Sequence, residues 1–137
     1  MGSMRGERVL EAALAVELAG YRAFADWFAP GPEADDYWKR YAQARGLSYG
    51  DALHEPHARN VFEFDQRWLR AADAGLLVCP AGKSAWAEMG LLRGWGKPVY
   101  AWLEKDPERW DIMLQIASGW SSDLNELISK VFKLHRP

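Results

Sequence analysis

Two short runs constrain this chain more than any other feature: GLLVC over Gly75–Cys79 and KPVYAWL over Lys97–Leu103. Each is apolar almost throughout instead of alternating, which is how a strand covered on both faces by helices reads. The segment between them has the length of a helix and closes at Gly94 and Gly96, so the pattern predicts a β-loop-α-β unit with parallel strands. Open sheets of this kind place ligands at the carboxyl ends of their strands. A helix over Ala58–Ala72 enters the unit carrying Asp65, and one over Ser84–Arg93 follows the first strand carrying Glu88. Two carboxylates are therefore expected at one cleft; the plainer alternative is that each is a solvated helix residue.

Composition narrows the partners. A chain of 137 residues with 49% hydrophobic content is one domain's worth and buries a real core. The formal charge of -2, with both signs interspersed, offers no basic surface to a nucleic acid polymer. Cys79 is the single cysteine, so neither a disulfide framework nor a cysteine metal cluster is available, and a structural thiol is the expected role. His54 and His57 stand at i, i+3 without a third ligand nearby, so no metal is expected. No cofactor is expected either. No stretch reaches the roughly 20 apolar residues of a membrane span and the N-terminus lacks a basic segment followed by a continuous apolar run, from which a cytoplasmic protein with no membrane contact is expected. Eight tryptophans are unusual for this length; most are expected in the core or an interface, and several to line a pocket for a flat ligand.

Residues Met1–Gly6 read as a start methionine and small-residue leader, GSM also having the look of an expression-vector scar. Glu7–Ala19 predicts a helix rich in Ala, Leu and Glu, closed by Gly20. Tyr21–Ala25 reads as a short strand, and Pro32–Arg45 as a second helix with Pro at its start and acids in its opening turns. Gly46–His57 has no periodicity and reads as a loop or lid. Ser84 is expected to cap the helix that carries Glu88, and with Pro80 and Gly82 to offer N–H groups and a hydroxyl to an anion, as an ordinary strand-to-helix turn would too. Trp110–Ile116 reads as a short helix, and Ser121 or Ser122 as the cap of a last helix over Asp123–Leu134.

Taken together, LRAADAGLLVCPAGKSAWAEMGLLRGWGKPVYAW resembles the core of the nucleoside 2-deoxyribosyltransferase-like family. The likeness is carried by Asp65, Asp73, Ser84, Glu88, Gly90, Gly96, Lys97 and Pro98, in that order, and extends more weakly to SSDLNELI near the end. It implies a single α/β domain over residues 1–137, with a three-layer, Rossmann-like (flavodoxin-like) parallel sheet of strand order 2-1-3-4-5. Gly2, Ser3, Met4, Arg5 and Gly6 resemble the phosphate loop of the branch that hydrolyses 2′-deoxynucleoside 5′-monophosphates. The central first strand that precedes this loop in the family is missing from the sequence.

The resemblance implies cleavage of an N-glycosidic bond in a (2′-deoxy)nucleoside 5′-monophosphate. Such cleavage builds oxocarbenium character on the sugar, so a carboxylate beside C1′ and help for the departing base are required. Glu88 is expected as nucleophile or electrostatic stabiliser and Asp65 as proton donor and acceptor. Gly2, Ser3, Arg5, Gly6 and Ser84 are expected to bind the 5′-phosphate, with Trp86 near the sugar. Transfer of the deoxyribosyl group to a second base is the neighbouring alternative. A non-catalytic nucleotide-binding domain is the alternative of another class, favoured by Trp86, which is bulky where the family often has a small residue. A homodimer or larger homo-oligomer is expected from the tryptophan excess and from the family's pockets near subunit contacts, with Ala58–Ala72 as the candidate interface.

Overall fold

Gly75–Val78 (β1) and Val99–Trp102 (β2) pair in parallel, Gly75 opposite Val99 and Val78 opposite Trp102. The structure is a computed structural model and describes residues 7–24 and 34–133. A third strand, Gly119–Ser121 (β3), lies parallel to β2 on its other side, giving an open three-stranded sheet of order β1-β2-β3. All four residues of the central strand β2 are buried. A strand buried on both faces has no solvent side to mark with polar residues, which accounts for the unbroken apolar run. The chain thus has a mixed α/β fold with an all-parallel sheet.

The helices are Glu7–Leu18 (α1), Ala34–Ala44 (α2), Tyr49–Leu53 (α3), Pro56–Ala71 (α4), Lys83–Gly94 (α5) and Leu124–Lys133 (α6), with a 3-10 segment over Ile112–Ile116. They fall into two compact units, Met1–Ala25 with Ala72–Pro137, and Asp26–Ala71. In the sheet unit α5 packs on β1 and β2, α6 on β2 and β3, and α1 on β1 and α6. Ala85, Met89 and Leu92 form the buried stripe of α5 at i, i+4, i+7, the spacing of one helix face. Leu77, Met89, Leu92, Val99 and Leu127 are the largest side chains with essentially no exposure, and they are the centre of this unit's core.

Three polar contacts fix what the apolar core alone would leave loose. Ser118 donates its N–H to Val99 O at 2.7 Å, and its Oγ accepts the Val99 N–H at 3.1 Å. The Trp102 indole N–H reaches Ser122 O at 3.1 Å. Arg93 on α5 donates from Nε to Ile116 O at 2.9 Å, tying the 3-10 segment to the helix. At the end of α5, Gly96 takes φ +76°, a left-handed conformation that suits glycine, and the next N–H, that of Lys97, closes on Leu92 O at 2.9 Å.

In the helical unit α3 packs against both α2 and α4. Ser48 caps α3, its Oγ accepting the Asp51 N–H at 3.1 Å. Ala42, Ala52 and Leu69 are its buried apolar residues among those described. Trp38 meets Tyr49 edge-on at 6.3 Å between centroids, and Arg45 lies over the Tyr41 ring while pairing with Glu55 at 3.6 Å.

Several expectations require correction. Tyr21–Phe24 is not a strand. Gly20 at φ +94° turns the chain out of α1, and the Ala23 N–H, which a strand would give to a neighbour, goes instead to the Glu17 carboxylate at 2.7 Å. Gly46–His57 is not wholly loop, because the Ser48 cap starts α3 inside it. Ser84 does not cap α5: the helix begins one residue earlier, at Lys83, with Gly82 in the cap position and no side-chain cap bond. The last helix is capped by Asp123, whose Oδ1 accepts the N–H groups of Asn125 and Glu126 at 2.9 and 3.2 Å. Ser121 stands one step back, its Oγ accepting the Asp123 N–H at 3.1 Å. Ala25, Pro32, Glu33 and Leu134, which the expected elements include, lie outside the described residues.

Val99 is fully buried, and removing the Ser118 hydroxyl leaves its N–H without that acceptor. Ser118→Ala is expected to cost about 1–3 kcal/mol, read as a lower urea midpoint at unchanged slope.

Candidate functional site

The sequence expects its site at the carboxyl end of the sheet, where α5 begins. After β1 the chain passes through a cis Cys79–Pro80 bond and enters α5 with Gly82 as its cap residue. A glycine cap has no side chain to occupy the first-turn N–H groups, so the positive end of the α5 dipole is not masked by a capping side chain. One turn in, Glu88 is half-buried and follows exposed Ser84 by four residues, which places both on one flank of the helix. Trp86, also half-buried, stands on the other side of the buried Ala85–Met89 stripe, since two residues advance a helix by about 200°. Ser84 and Glu88 are therefore neighbours and Trp86 is not.

The N-terminus of α1 reaches the same end of the sheet. Arg8, the second residue of α1, forms an ion pair with Glu104, two residues beyond β2, and its guanidinium lies 5.4 Å from the Trp102 ring centroid. Both side chains of the pair remain 44% exposed. After β3, Ser121 Oγ donates to Glu126 at 2.6 Å, and Lys130 pairs with Glu126 at 2.9 Å. The Ser121 hydroxyl, then Lys130, hold the Glu126 carboxyl below its ordinary range.

Of the residues expected from the sequence, Ser84, Trp86 and Glu88 all lie in the first half of α5, the helix that starts from this end of the sheet. Asp65 lies in the helical unit, half-buried on α4, and burial raises its carboxyl above the usual 3.8. Gly2, Ser3, Arg5 and Gly6 lie outside the described residues. His54 and His57 are exposed, one at the end of α3 and one in the first turn of α4. Cys79 is a half-buried thiol pushed up to about 11 by burial, so near neutral pH it is almost entirely protonated and a poor nucleophile. Among the described residues no group of three or more His, Cys, Asp or Glu is placed to hold a metal, and no helix is long and apolar enough to cross a membrane.

Sequence reasoning missed Arg8 and Glu104. Glu104 had a signal: it is the first charged residue after the buried run KPVYAWL, hence close to the carboxyl end of a parallel strand. Arg8 had none of its own, because a basic residue in the first turn of a helix reads as surface. Comparison with protein-family models, with curated proteins and with solved structures found no match.

The raised carboxyl of Asp65 makes a pH prediction. Between 3.8 and its raised value the folded chain keeps a proton that the unfolded chain has released. The stability this contributes is complete below the unfolded value and is lost as pH rises through the folded one. Urea midpoints measured against pH are therefore expected to show Asp65→Asn gaining on wild type as pH rises through that window, with no further gain above it.

Proposed function

We propose that this protein hydrolyses the N-glycosidic bond of a (2′-deoxy)nucleoside 5′-monophosphate, and that it is a divergent member of the nucleoside 2-deoxyribosyltransferase-like family with that family's three-layer, Rossmann-like sheet. The observation that carries the reading is Glu88: a half-buried carboxylate on the flank of Ser84, on the helix that leaves the carboxyl end of a parallel strand. Ligands of open α/β sheets sit at this end, and an uncapped helix start beside a hydroxyl suits a phosphate.

In this reading the C1′–N bond breaks as the base departs with its electron pair, and the Glu88 carboxylate bonds to C1′ or holds the oxocarbenium charge. Water then attacks C1′, breaking the bond to Glu88 where one has formed and passing its proton to the group that protonated the base, and the sugar phosphate is released. The base must gain a proton as it leaves. Asp65, in the helical unit, is assigned to that proton on the sequence reading alone. Arg5 with Gly2, Ser3 and Gly6 is assigned to the phosphate on the resemblance alone.

Incubating wild type and Glu88→Gln with a panel of deoxynucleoside and ribonucleoside monophosphates and nucleosides, with chromatographic detection of free base, tests this. Base release from monophosphates by wild type is expected, with a loss of at least about a hundredfold in Glu88→Gln. Unchanged release by Glu88→Gln removes Glu88 from the role. Formation of a new nucleoside on adding a second base would move the assignment to deoxyribosyl transfer, and binding without base release would move it to a non-catalytic nucleotide domain.

The reading also takes the chain as a homodimer or larger. Val61, Phe62 and Phe64 on α4 are 56%, 62% and 45% exposed, an apolar grouping that assembly would cover. Light scattering at micromolar concentration is expected to give at least twice the 15.6 kDa of one chain; a single-chain mass would overturn this.

A further inference from the structure

We propose that the open edge of β3 is a face on which two copies of this chain meet, Trp120 pairing with Trp120 of the second copy across a two-fold axis so that two three-stranded sheets continue into one. The inference is independent of the hydrolytic chemistry. It rests on the homo-oligomer of the reading above and gives that oligomer a contact separate from α4.

The backbone sets the symmetry. Strand β2 has a neighbour on each side, whereas β3 has β2 alone among the described residues. Ser121 turns its C=O toward β2, where it accepts the Leu103 N–H at 2.9 Å. Backbone groups of successive strand residues point to opposite sides, so Gly119 shares that direction and Trp120 holds its N–H and C=O toward the open edge. In an antiparallel hydrogen-bonded pair the two residues exchange both N–H···O bonds. A donor and an acceptor side by side on Trp120 are therefore complementary to the same residue of a copy turned by a two-fold, which makes the contact isologous. An unrelated extended peptide fits this edge less well. Strand addition draws its affinity from a run of main-chain bonds, and Trp120 is the single outward residue of a three-residue strand.

The side chains supply the area. Edges that stay unpaired are commonly guarded by charge or proline, yet Ile112–Ser122 contains no Asp, Glu, Lys, Arg or Pro. Trp120 is 49% exposed, and the segment leading into β3 leaves Trp110 and Ile112 each 79% and Met113 53% exposed. Ile116 and Leu91, the latter on the helix that packs on this segment, are exposed as well. An aromatic side chain spans about 150–250 Å², so the grouping offers several hundred Å² of apolar surface toward the roughly 800 Å² per partner that a stable dimer buries. Poor in charge and rich in Trp and Met, it has the make-up of an interface core. At the axis the two Trp120 side chains stand directly opposite on one face of the joined sheet, where a cross-strand aromatic pair reinforces the backbone bonds.

The test is sedimentation equilibrium of the full chain and of Trp120→Lys, Ile112→Lys and Phe62→Lys across the micromolar range, with hydrogen exchange of the Trp120 amide followed at low and high concentration. Trp120→Lys and Ile112→Lys are each expected to raise the dimer dissociation constant by about tenfold or more. Exchange of the wild-type Trp120 amide is expected to slow by about tenfold or more as the concentration rises through that constant, and Phe62→Lys, on α4, is expected to keep this slowing. Should Trp120→Lys fail to fold, Ile112→Lys and the wild-type amide decide, since neither alters β3. A wild-type mass of 15.6 kDa throughout would overturn this inference together with the homo-oligomer on which it rests. An oligomer that both sheet-edge variants leave intact, with a Trp120 amide that exchanges equally at every concentration, would overturn this inference alone; loss of that oligomer in Phe62→Lys would then assign the contact to α4.

Discussion

Parallel pairing of β1 with β2 is the constraint on which the sheet unit depends. Two parallel strands cannot be joined by a tight turn, so the chain between them must cross over one face of the sheet, and here that crossing is α5. The crossing decides where α5 begins. It starts beyond the carboxyl end of β1, which puts its first turn and Ser84 at that end, with Glu88 further along the same helix, without any side chain having to pull them there. The burial of Val99 through Trp102 on both faces follows from the same pairing, since β2 has a strand on either side and α5 and α6 packed upon it.

How legible each part was depended on whether its signal was local. GLLVC and KPVYAWL announced β1 and β2 because burial on both faces writes itself as an unbroken apolar run, and their parallel arrangement followed from the helix-length gap. The strand expected over Tyr21–Ala25 failed for the opposite reason: YRAFA has strand-like residues, yet Gly20 and the Glu17 carboxylate capture the described part of that backbone locally. Strand β3 went unread because three residues, Gly119–Ser121, are too few to show a period. The third helix was hidden in a segment whose two glycines and proline read as loop, although Ser48 ahead of Tyr49 was its start signal.

The candidate site divides in the same way. Ser84 and Glu88 were legible as neighbours because four residues along a helix is a local relation. Trp86 was grouped with them by resemblance, and helix geometry puts it on the opposite flank. Arg8 and Glu104, by contrast, are separated by 96 residues in sequence. Their meeting is a product of topology, of the start of α1 lying beside the carboxyl end of β2, and no window of sequence contains it.

The double contact between Ser118 and Val99 has a meaning beyond stability. Strand β3 is short and ordinary in composition, with Trp120 exposed and no apolar run to choose its alignment against β2. A strand of that kind is open to slippage, because neighbouring registers bury nearly the same surface. The Ser118 hydroxyl opposes such a shift: moving the chain forward by one residue would set Gly119, which has no side chain, against the Val99 N–H and leave that donor without the hydroxyl. Register here is pinned by polar atoms, with the Trp102 indole on Ser122 O at the other end. The order of the ladder at this edge is therefore held by polar contacts, the Ser118 hydroxyl on Val99 and the Trp102 indole on Ser122 O, and not by hydrophobic pattern.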